Sequence, residues 1–543
     1  MSFPWLTVAM LLPIVGAVVV AVLPGGRRAD SAQSPTVEPA HRGGATAVAG
    51  SPRRSGADLP KVLALGFSLV TLLVVALIAV GFDPNGARFQ FTEQHDWIRT
   101  FGAHYALGVD GVGLVLVLLT AILSPVVILA SWNDGDNGRW GVNAFFAWIL
   151  ALEGLAIGVF AATDVFLFYV LFEATLIPIY FLIGGFGGPR RSYAAVKFLL
   201  FSLFGGLLML ASVVGLYVVS ARSAGGPTYL LSELSRIPID QNTARWLFVG
   251  FFVAFAIKAP MVPVHTWLPD ATEQASAGTS VLLVSVLDKI GTFGMIRFCL
   301  QLFPEASRWA TPVVLILAVI SVLYGALAAI GQRSIPRLIA YTSVSHFGFI
   351  VLGIFVLNSY GQTGSMLYMF NHGLSTAALF LVTGFLISRR GSGLIPDFGG
   401  VEKVAPVLAG IFLVAGLSSL SLPGLSPFIS EFLVLLGAFT HNWWYAVFAV
   451  LGIVLSAIYI LLMYQRTMTG PTRPEVAGFK DLGVREVTAL APLLVLIVLL
   501  GFYPKPLTTI INPAVRDTLQ QVGVQDPKPA VPPQAGAQEE TTQ

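Results

Sequence analysis

The sequence predicts an all-α integral membrane protein with about 14 transmembrane helices. Of its 543 residues, 55% are hydrophobic and only 11% are charged, whereas soluble domains average ~45–50% and ~25%. Apolar stretches recur along the chain, each near the ~20 residues that a helix needs to cross a ~30 Å hydrocarbon core. Because a backbone in lipid must satisfy its own hydrogen bonds, these stretches are interpreted as helices.

The predicted helices follow one another along most of the chain. They are placed at residues 3–23, 61–82, 108–131, 142–162, 165–184, 192–220, 245–264, 275–302, 309–330, 337–357, 364–388, 404–440, 443–468 and 487–503. The first stretch lacks the basic flank of a signal peptide, so it is interpreted as a retained helix.

Lysine and arginine predict the orientation of the chain. Most of those in the predicted loops follow odd-numbered helices. By the positive-inside rule, that side faces the cytoplasm and both termini face outward. The cytoplasmic loop 24–60 and the tail 507–543 are rich in small and polar residues and proline, a composition typical of flexible segments.

Several function classes are excluded by composition. The single cysteine, Cys299, lies in an apolar run, so neither a disulfide framework nor a cysteine metal site is expected. The histidines have no metal-binding spacing, and the chain has no glycine-rich phosphate loop. A net charge of +3 gives no support for nucleic-acid binding. We therefore expect no cofactor and no metal ion in this chain.

Ionisable residues interrupt the predicted apolar helices. A charge at the bilayer centre costs at least ~2.5–3.5 kcal/mol on insertion scales, so each ionisable residue there needs an interaction partner or a function. Those deepest in predicted helices are Glu173, Lys258, Lys289 and Glu431. A structural ion pair explains any one of them equally well, but their spread over different helices favours a polar path through the membrane.

Prolines predict two broken helices. Pro260 and Pro263 follow Lys258 in the seventh helix, and Pro423 and Pro427 precede Glu431 in the twelfth. Proline removes a backbone donor and disrupts the preceding turn. Broken membrane helices are tolerated where they line a cavity or are buried in protein. A simple packing kink is the alternative.

The two interruptions predict an internal repeat, because their odd offset places them in oppositely oriented segments, as in inverted repeats of transporters. We predict helices 1 and 2 with their loop in residues 1–107, helix 3 in 108–141, a first five-helix repeat (helices 4–8) in 142–302, a second, inverted repeat (helices 9–13) in 303–468, helix 14 in 469–506 and the tail in 507–543.

Five segments carry a family resemblance. They are FYVLFEATLIPIY (168–180), AIKAPMVPVHTWLPDA (256–271), AYTSVSHFGF (340–349), MFNHGLSTAALF (369–380) and LPGLSPFISEF (422–432). Together they resemble the antiporter-like subunits of bacterial NADH-quinone oxidoreductase, respiratory complex I, which are similar to Mrp-type sodium/proton antiporter subunits. The resemblance runs over about residues 108–468 and implies 14 core helices with two inverted repeats.

The resemblance also implies site residues. The matching positions for proton transfer are Glu173, Lys258, Lys289, His346, His372 and Glu431. A histidine suits a proton relay because its reference pKa is ~6.5, although a hydrogen-bonded core histidine is the alternative. Weaker candidates are His265, Asp288, Glu153 and Lys197.

Glutamate at position 431 points to the M-type subunits, since the L-type and N-type subunits usually carry lysine there. Two positions depart from the family pattern: Thr272 stands where histidine is usual, and Asp288 stands where leucine is usual. Asp288 and Lys289 point about 100° apart on a helix, so they need not pair directly.

The resemblance implies proton translocation in the bacterial cell membrane, driven by electron transfer from NADH to quinone on other subunits. Those subunits would hold NADH, FMN, iron-sulfur clusters and quinone, and the partners would be the L and N chains, small membrane subunits and the bilayer. Two alternatives stay open: a subunit of a multi-chain cation/proton antiporter, and a membrane scaffold with buried ion pairs.

Overall fold

A computed structural model describes residues 3–23 and 58–526. Most of the predicted loop 24–60 and the end of the tail 507–543 lie outside these residues. The helices are α1 (Trp5–Val22), α2 (Leu59–Gly81), α3 (Gly111–Ala130), α4 (Gly141–Ala161), α5 (Val165–Ala174), α6 (Leu176–Phe186), α7 (Arg191–Ala221), α8 (Leu231–Leu234), α9 (Gln241–Lys258), α10 (Trp267–Gln274), α11 (Ala277–Val281), α12 (Asp288–Gly294), α13 (Pro304–Ile330), α14 (Ile335–Phe355), α15 (Ser359–Arg390), α16 (Pro406–Ser419), α17 (Ser426–His441), α18 (Trp443–Met468), α19 (Val484–Phe502) and α20 (Lys505–Val522).

Many of these helices are suited to a membrane. Within residues 3–23 and 58–526, twelve helical segments are long and apolar enough to cross a bilayer. The predicted seventh and twelfth helices are not among the twelve, and each is split in two. The seventh is split between α9 and α10, and the twelfth between α16 and α17, at the prolines that predicted these breaks.

The buried core is formed by a few central helices. The apolar window of Ala277–Leu300 is 100% buried, and those of α14 and α15 are 94% and 89% buried. In α2 and α19 the corresponding figure is 28%, so most of the surface of these helices lies at the outside of the helical bundle. A charge on α14 or α15 is therefore surrounded by protein.

The prediction of an all-α protein was wrong in one place. Strands β1 (Gln90–Ile98) and β2 (Ala103–Val109) form an antiparallel hairpin before α3. Gly102 turns the chain with φ of 67°, and a Cβ there would lie 2.0 Å from the carbonyl oxygen of Pro227. Helix α3 starts at Gly111 rather than 108, because the Asp110 side chain accepts a hydrogen bond from the backbone of Gly113.

The prediction of a flexible tail at 507–543 was wrong for its first part, which lies in helix α20. This helix begins after Pro504 and ends at Gly523, whose φ of 71° suits a glycine after a helix. Its buried residues recur with helical spacing: Leu507, Ile511, Ala514, Val515, Thr518, Leu519 and Val522. The helix is amphipathic and packs against α3, α13 and α15, so one face is held against the core.

Candidate functional site

The break between α9 and α10 places Lys258 at the last turn of α9. Backbone groups near the break are satisfied from elsewhere: the Trp267 indole donates to the Ile257 carbonyl at 3.0 Å, and the Val262 N–H donates to the Ser321 hydroxyl at 3.0 Å. Lys258 is buried. Its ammonium lies 5.3 Å from the centre of the Phe172 ring and donates no hydrogen bond to any of the described residues.

Glu173 lies at the end of α5, where the chain is interrupted before α6. Its carboxylate packs against Gly206 of α7, where a Cβ would approach Oε1 to 1.9 Å, so a larger residue at position 206 would displace the carboxylate. Glu173 and Lys258, both in the described part of the chain, form no ion pair within 4.0 Å. Phe172, the residue before Glu173, packs against the Lys258 ammonium. The two charged side chains are therefore neighbours that do not form an ion pair.

Lys289 lies in the most buried part of the molecule. It belongs to α12, a short α-helical stretch between the π-helical turns Leu282–Leu287 and Met295–Leu300. The ammonium donates to the Val284 carbonyl at 2.7 Å and lies 2.7 Å from Nδ1 of His372. Departures from α-helical geometry of this kind are frequent at functional sites.

His372 and His346 continue the polar line from Lys289. Their ring centres lie 5.2 Å apart, one on α15 and the other on α14. The next group is Tyr368, whose ring centre lies 5.8 Å from that of His346. Sequence reasoning missed Tyr368. The available signal was its position one turn before His372 on the same helix.

Glu431 lies in α17, just after the break in the second broken helix, and is 4% exposed. It lies within electrostatic range of the Tyr368 and Tyr459 hydroxyls. Asn371 donates to the Ser430 hydroxyl at 2.8 Å and so ties α15 to α17. Tyr368 thus lies between His346 and Glu431.

Three secondary candidates lie away from this line. Glu153 accepts a hydrogen bond from Ser68 at 3.0 Å, between α4 and α2. Lys197 binds Asp270 at 2.6 Å in a half-buried ion network. His265 lies at the helix break, 5.0 Å from the Tyr324 ring.

The fourth secondary candidate, Asp288, is fully buried beside Lys289. Neither of its carboxylate oxygens has a hydrogen-bond partner within the described chain. The absence of a bond to Lys289 agrees with the expected angle between the two side chains.

A cavity of about 770 Å³ is lined by the end of α10, by α11 and by the C-terminal part of α15. On α15 this part follows His372. Polar side chains line part of the cavity, including Thr272, Ser280 and Thr383. Ser285, one turn before Lys289, is buried and lies between this cavity and the lysine along the helix. Thr272, which stands where the family usually has histidine, forms part of the cavity wall.

No metal site accompanies these groups. Among the residues that the structure describes, no three histidine, cysteine, aspartate or glutamate side chains are arranged to hold a metal ion. The arrangement is chemically suited to passing protons between side chains, because lysine, histidine, tyrosine and glutamate all donate and accept them.

Similar proteins are known for nearly the whole chain. Residues 162–456 match the family described as "NADH:quinone oxidoreductase/Mrp antiporter, TM". The chain is 49% identical to NADH-quinone oxidoreductase subunit M of Mycobacterium tuberculosis H37Rv, over 98% of this chain and 96% of that protein. It is 40% identical to subunit M of Rhodobacter capsulatus, over 85% of this chain and 90% of that protein.

Solved structures show the same fold. A chain of respiratory complex I from Thermus thermophilus with bound NADH superimposes with a TM-score of 0.82 at 31% identity, over 96% of this chain and all of that one. A chain of the Mrp complex from Dietzia sp. DQ12-45-1b superimposes with a TM-score of 0.79 at 18% identity, over 96% and 100% of the two chains. At that identity the second likeness concerns the fold alone.

Proposed function

The chain belongs to the NADH:quinone oxidoreductase/Mrp antiporter family of membrane proteins, and we propose that it is the proton-translocating M subunit of a bacterial NADH-quinone oxidoreductase. Electron transfer from NADH to quinone takes place on other subunits, which hold FMN and the iron-sulfur clusters. This chain contributes a path for protons.

One observation carries the proposal: ionisable and polar side chains follow one another through the buried centre of the helical bundle. Lys258, Lys289, His372, His346, Tyr368 and Glu431 make up this series, which we name the buried proton line. It extends from one broken helix to the other. Unpaired ionisable groups inside a membrane are costly and are retained at ion and proton pathways.

Charge separation at Glu173 and Lys258 provides a switch. With an effective dielectric constant of ~20, two unit charges attract by ~4 kcal/mol at ~4 Å and by ~1.7 kcal/mol at ~10 Å. Moving one charge against ~200 mV requires ~4.6 kcal/mol. Movement of the two groups between these separations therefore accounts for about half of that work, and changes in hydration and neighbouring charges provide the rest.

The proposed topology follows from adding the two broken helices to the twelve segments, which gives 14 crossings. Helices 4–8 in residues 142–302 and helices 9–13 in residues 303–468 are the two inverted repeats. Both termini face outward from the cell membrane. The cavity beside Thr272 then opens to the cytoplasm and is suited to proton uptake.

Co-purification tests this proposal against a role in a multi-chain cation/proton antiporter, the fold of which is shared. A tag following residue 543 allows the intact complex to be isolated from detergent-solubilised membranes. We expect flavin and iron-sulfur proteins and the L and N chains to accompany the tagged chain. Recovery with antiporter subunits alone, and without any redox protein, would favour the alternative.

A further inference from the structure

Asp288 is a fully buried carboxylate that the buried proton line does not use. Its exposed fraction is 0%, and no hydrogen bond to either carboxylate oxygen occurs within residues 3–23 and 58–526. Buried carboxylates are ordinarily paired or hydrogen-bonded. This unpartnered group therefore requires an explanation.

The packing of α12 indicates which way Asp288 faces. Gly291 lies three residues later on the same side of the helix. A Cβ on Gly291 would lie 2.6 Å from the Ala259 nitrogen and 2.6 Å from the Phe255 carbonyl oxygen. This side of α12 therefore packs on the last turn of α9, which carries Lys258.

Two lysines act on Asp288 from different sides. The charges of Lys289 and Lys258 both lie within electrostatic range of its carboxylate, and Asp288 and Glu173 are the two carboxylates within that range of Lys258. The Lys289 ammonium is directed away, toward Val284 and His372. Asp288 thus lies between the end of α9, which carries Lys258, and the Lys289–His372 contact.

We propose that Asp288 is a proton carrier between Lys258 and Lys289. In one direction, the Lys258 ammonium gives its proton to the Asp288 carboxylate, which leaves a neutral amine and a carboxylic acid. The acid then protonates a neutral Lys289, and the carboxylate is restored. The inference rests on the proposed function, because it adds a step to a proton path.

Amide substitution tests this step, since Asp288→Asn keeps the size of the side chain but cannot carry a proton. Proton pumping is measured in membrane vesicles, with NADH oxidation by ferricyanide as the control for the peripheral subunits and co-purification with those subunits as the control for assembly. We expect pumping by Asp288→Asn to fall at least roughly fivefold and Asp288→Glu to recover at least half of it. Asp164→Asn is the matched control, because Asp164 is also buried but caps α5, and it should pump normally.

A double variant separates a carrier from a structural carboxylate. If Asp288 and Lys258 act in one series, Asp288→Asn combined with Lys258→Gln should pump no more slowly than Lys258→Gln alone. Additive losses would overturn the carrier role. Normal pumping by Asp288→Asn with a defective Lys258→Gln would also overturn it while leaving the proposed function intact. Normal pumping by both single variants would instead contradict the proposed function.

Infrared difference spectroscopy provides the test if Asp288→Asn does not assemble. Turnover of the intact complex should change the carbonyl band of a protonated carboxyl, and Asp288→Glu should shift that band. A turnover spectrum that is identical in wild type and an assembled Asp288→Glu complex would overturn the proposal.

Discussion

The ammonium nitrogen of Lys289 lies 2.7 Å from Nδ1 of His372, and both side chains are buried. An ammonium has donors and no acceptor. When Lys289 is charged, Nδ1 of His372 must therefore be the acceptor, with the ring proton on Nε2. Transfer of one proton along this contact converts the pair into a neutral amine and an imidazolium.

His372→Gln tests this contact. Glutamine can accept a hydrogen bond from Lys289 but cannot take its proton, so we expect an assembled complex whose proton pumping falls by roughly tenfold or more. Pumping in membrane vesicles is the measurement. His441→Gln is the control, because His441 is exposed at the end of α17, and it should behave as wild type. Equal pumping by the two variants would remove His372 from the path.

Tyr368→Phe removes one hydroxyl from the region between His346 and Glu431 and keeps the ring. We expect a several-fold loss in pumping, which is smaller than the roughly 10²–10⁴-fold of one full general acid or base contribution. Tyr459→Phe removes a second hydroxyl near Glu431, but among the described residues only Tyr368 of these two tyrosines has a ring contact with His346. A loss that is as large in Tyr459→Phe as in Tyr368→Phe would argue against a relay through Tyr368.

Glu431→Gln tests the far end of the buried proton line. Glutamine is neutral and of similar size, so the subunit should assemble, and pumping should fall because the amide carries no titratable proton. Glu475→Gln is the comparison, since Glu475 is exposed in the loop after α18. Proton translocation at the wild-type rate by an assembled Glu431→Gln complex would exclude Glu431 from the path.

Asp481 holds the start of α16, the first half of the second broken helix. Its carboxylate accepts hydrogen bonds from the backbone nitrogens of Val407 and Leu408, at 2.8 and 2.9 Å. Partial burial opposes ionisation, but these bonds and one from Leu482 outweigh it and lower the pKa of Asp481. The stabilisation is thus fully present above the unfolded pKa of ~3.9 and is lost as pH falls through the lower folded value.

Asp481→Ala should remove a helix cap worth about 1 kcal/mol. Hydrogen exchange of the Val407 and Leu408 amides is then expected to be about fivefold faster relative to wild type, if they exchange through local opening. The ratio should be the same at about pH 6 and pH 8, because the carboxylate is ionised at both. Unchanged exchange in Asp481→Ala would show that α16 is held by other contacts.

Much of the fold could be predicted from the sequence, because long apolar runs and prolines have strong local effects. The break after Lys258 was predicted from Pro260 and Pro263. The hairpin before α3 was missed, since β1 is mainly polar and the apolar residues of β2 run almost directly into those of α3. Helix α20 was missed because its apolar spacing was outweighed by a proline-containing, polar composition.

The site was predicted in part. The resemblance identified Lys289 and His372 as separate candidates, but it could not give their contact, because residues 83 positions apart meet only after folding. It also emphasised Glu173 beside Lys258, whereas the structure brings Asp288 toward the same lysine through the packing of Gly291 on α9. Such contacts depend on helix rotation, which apolar periodicity does not determine in helices buried on all sides.

The central claim is that Lys258 exchanges protons rather than serving as a fixed charge. Arginine keeps the positive charge and can pair with a carboxylate, so a structural ion pair should survive Lys258→Arg with a modest loss. Arginine does not release its proton inside proteins. Lys505→Arg provides the control, because Lys505 is exposed at the start of α20.

The most direct test is proton pumping by the assembled Lys258→Arg complex in membrane vesicles during NADH oxidation. NADH oxidation by ferricyanide, which needs the peripheral subunits alone, is the control for those subunits, and co-purification of the variant chain with them is the measure of assembly. We expect this activity to be preserved while pumping and quinone-linked NADH oxidation both fall, since the two are coupled. Pumping at the wild-type rate by Lys258→Arg would contradict the account and leave Lys258 as a structural charge.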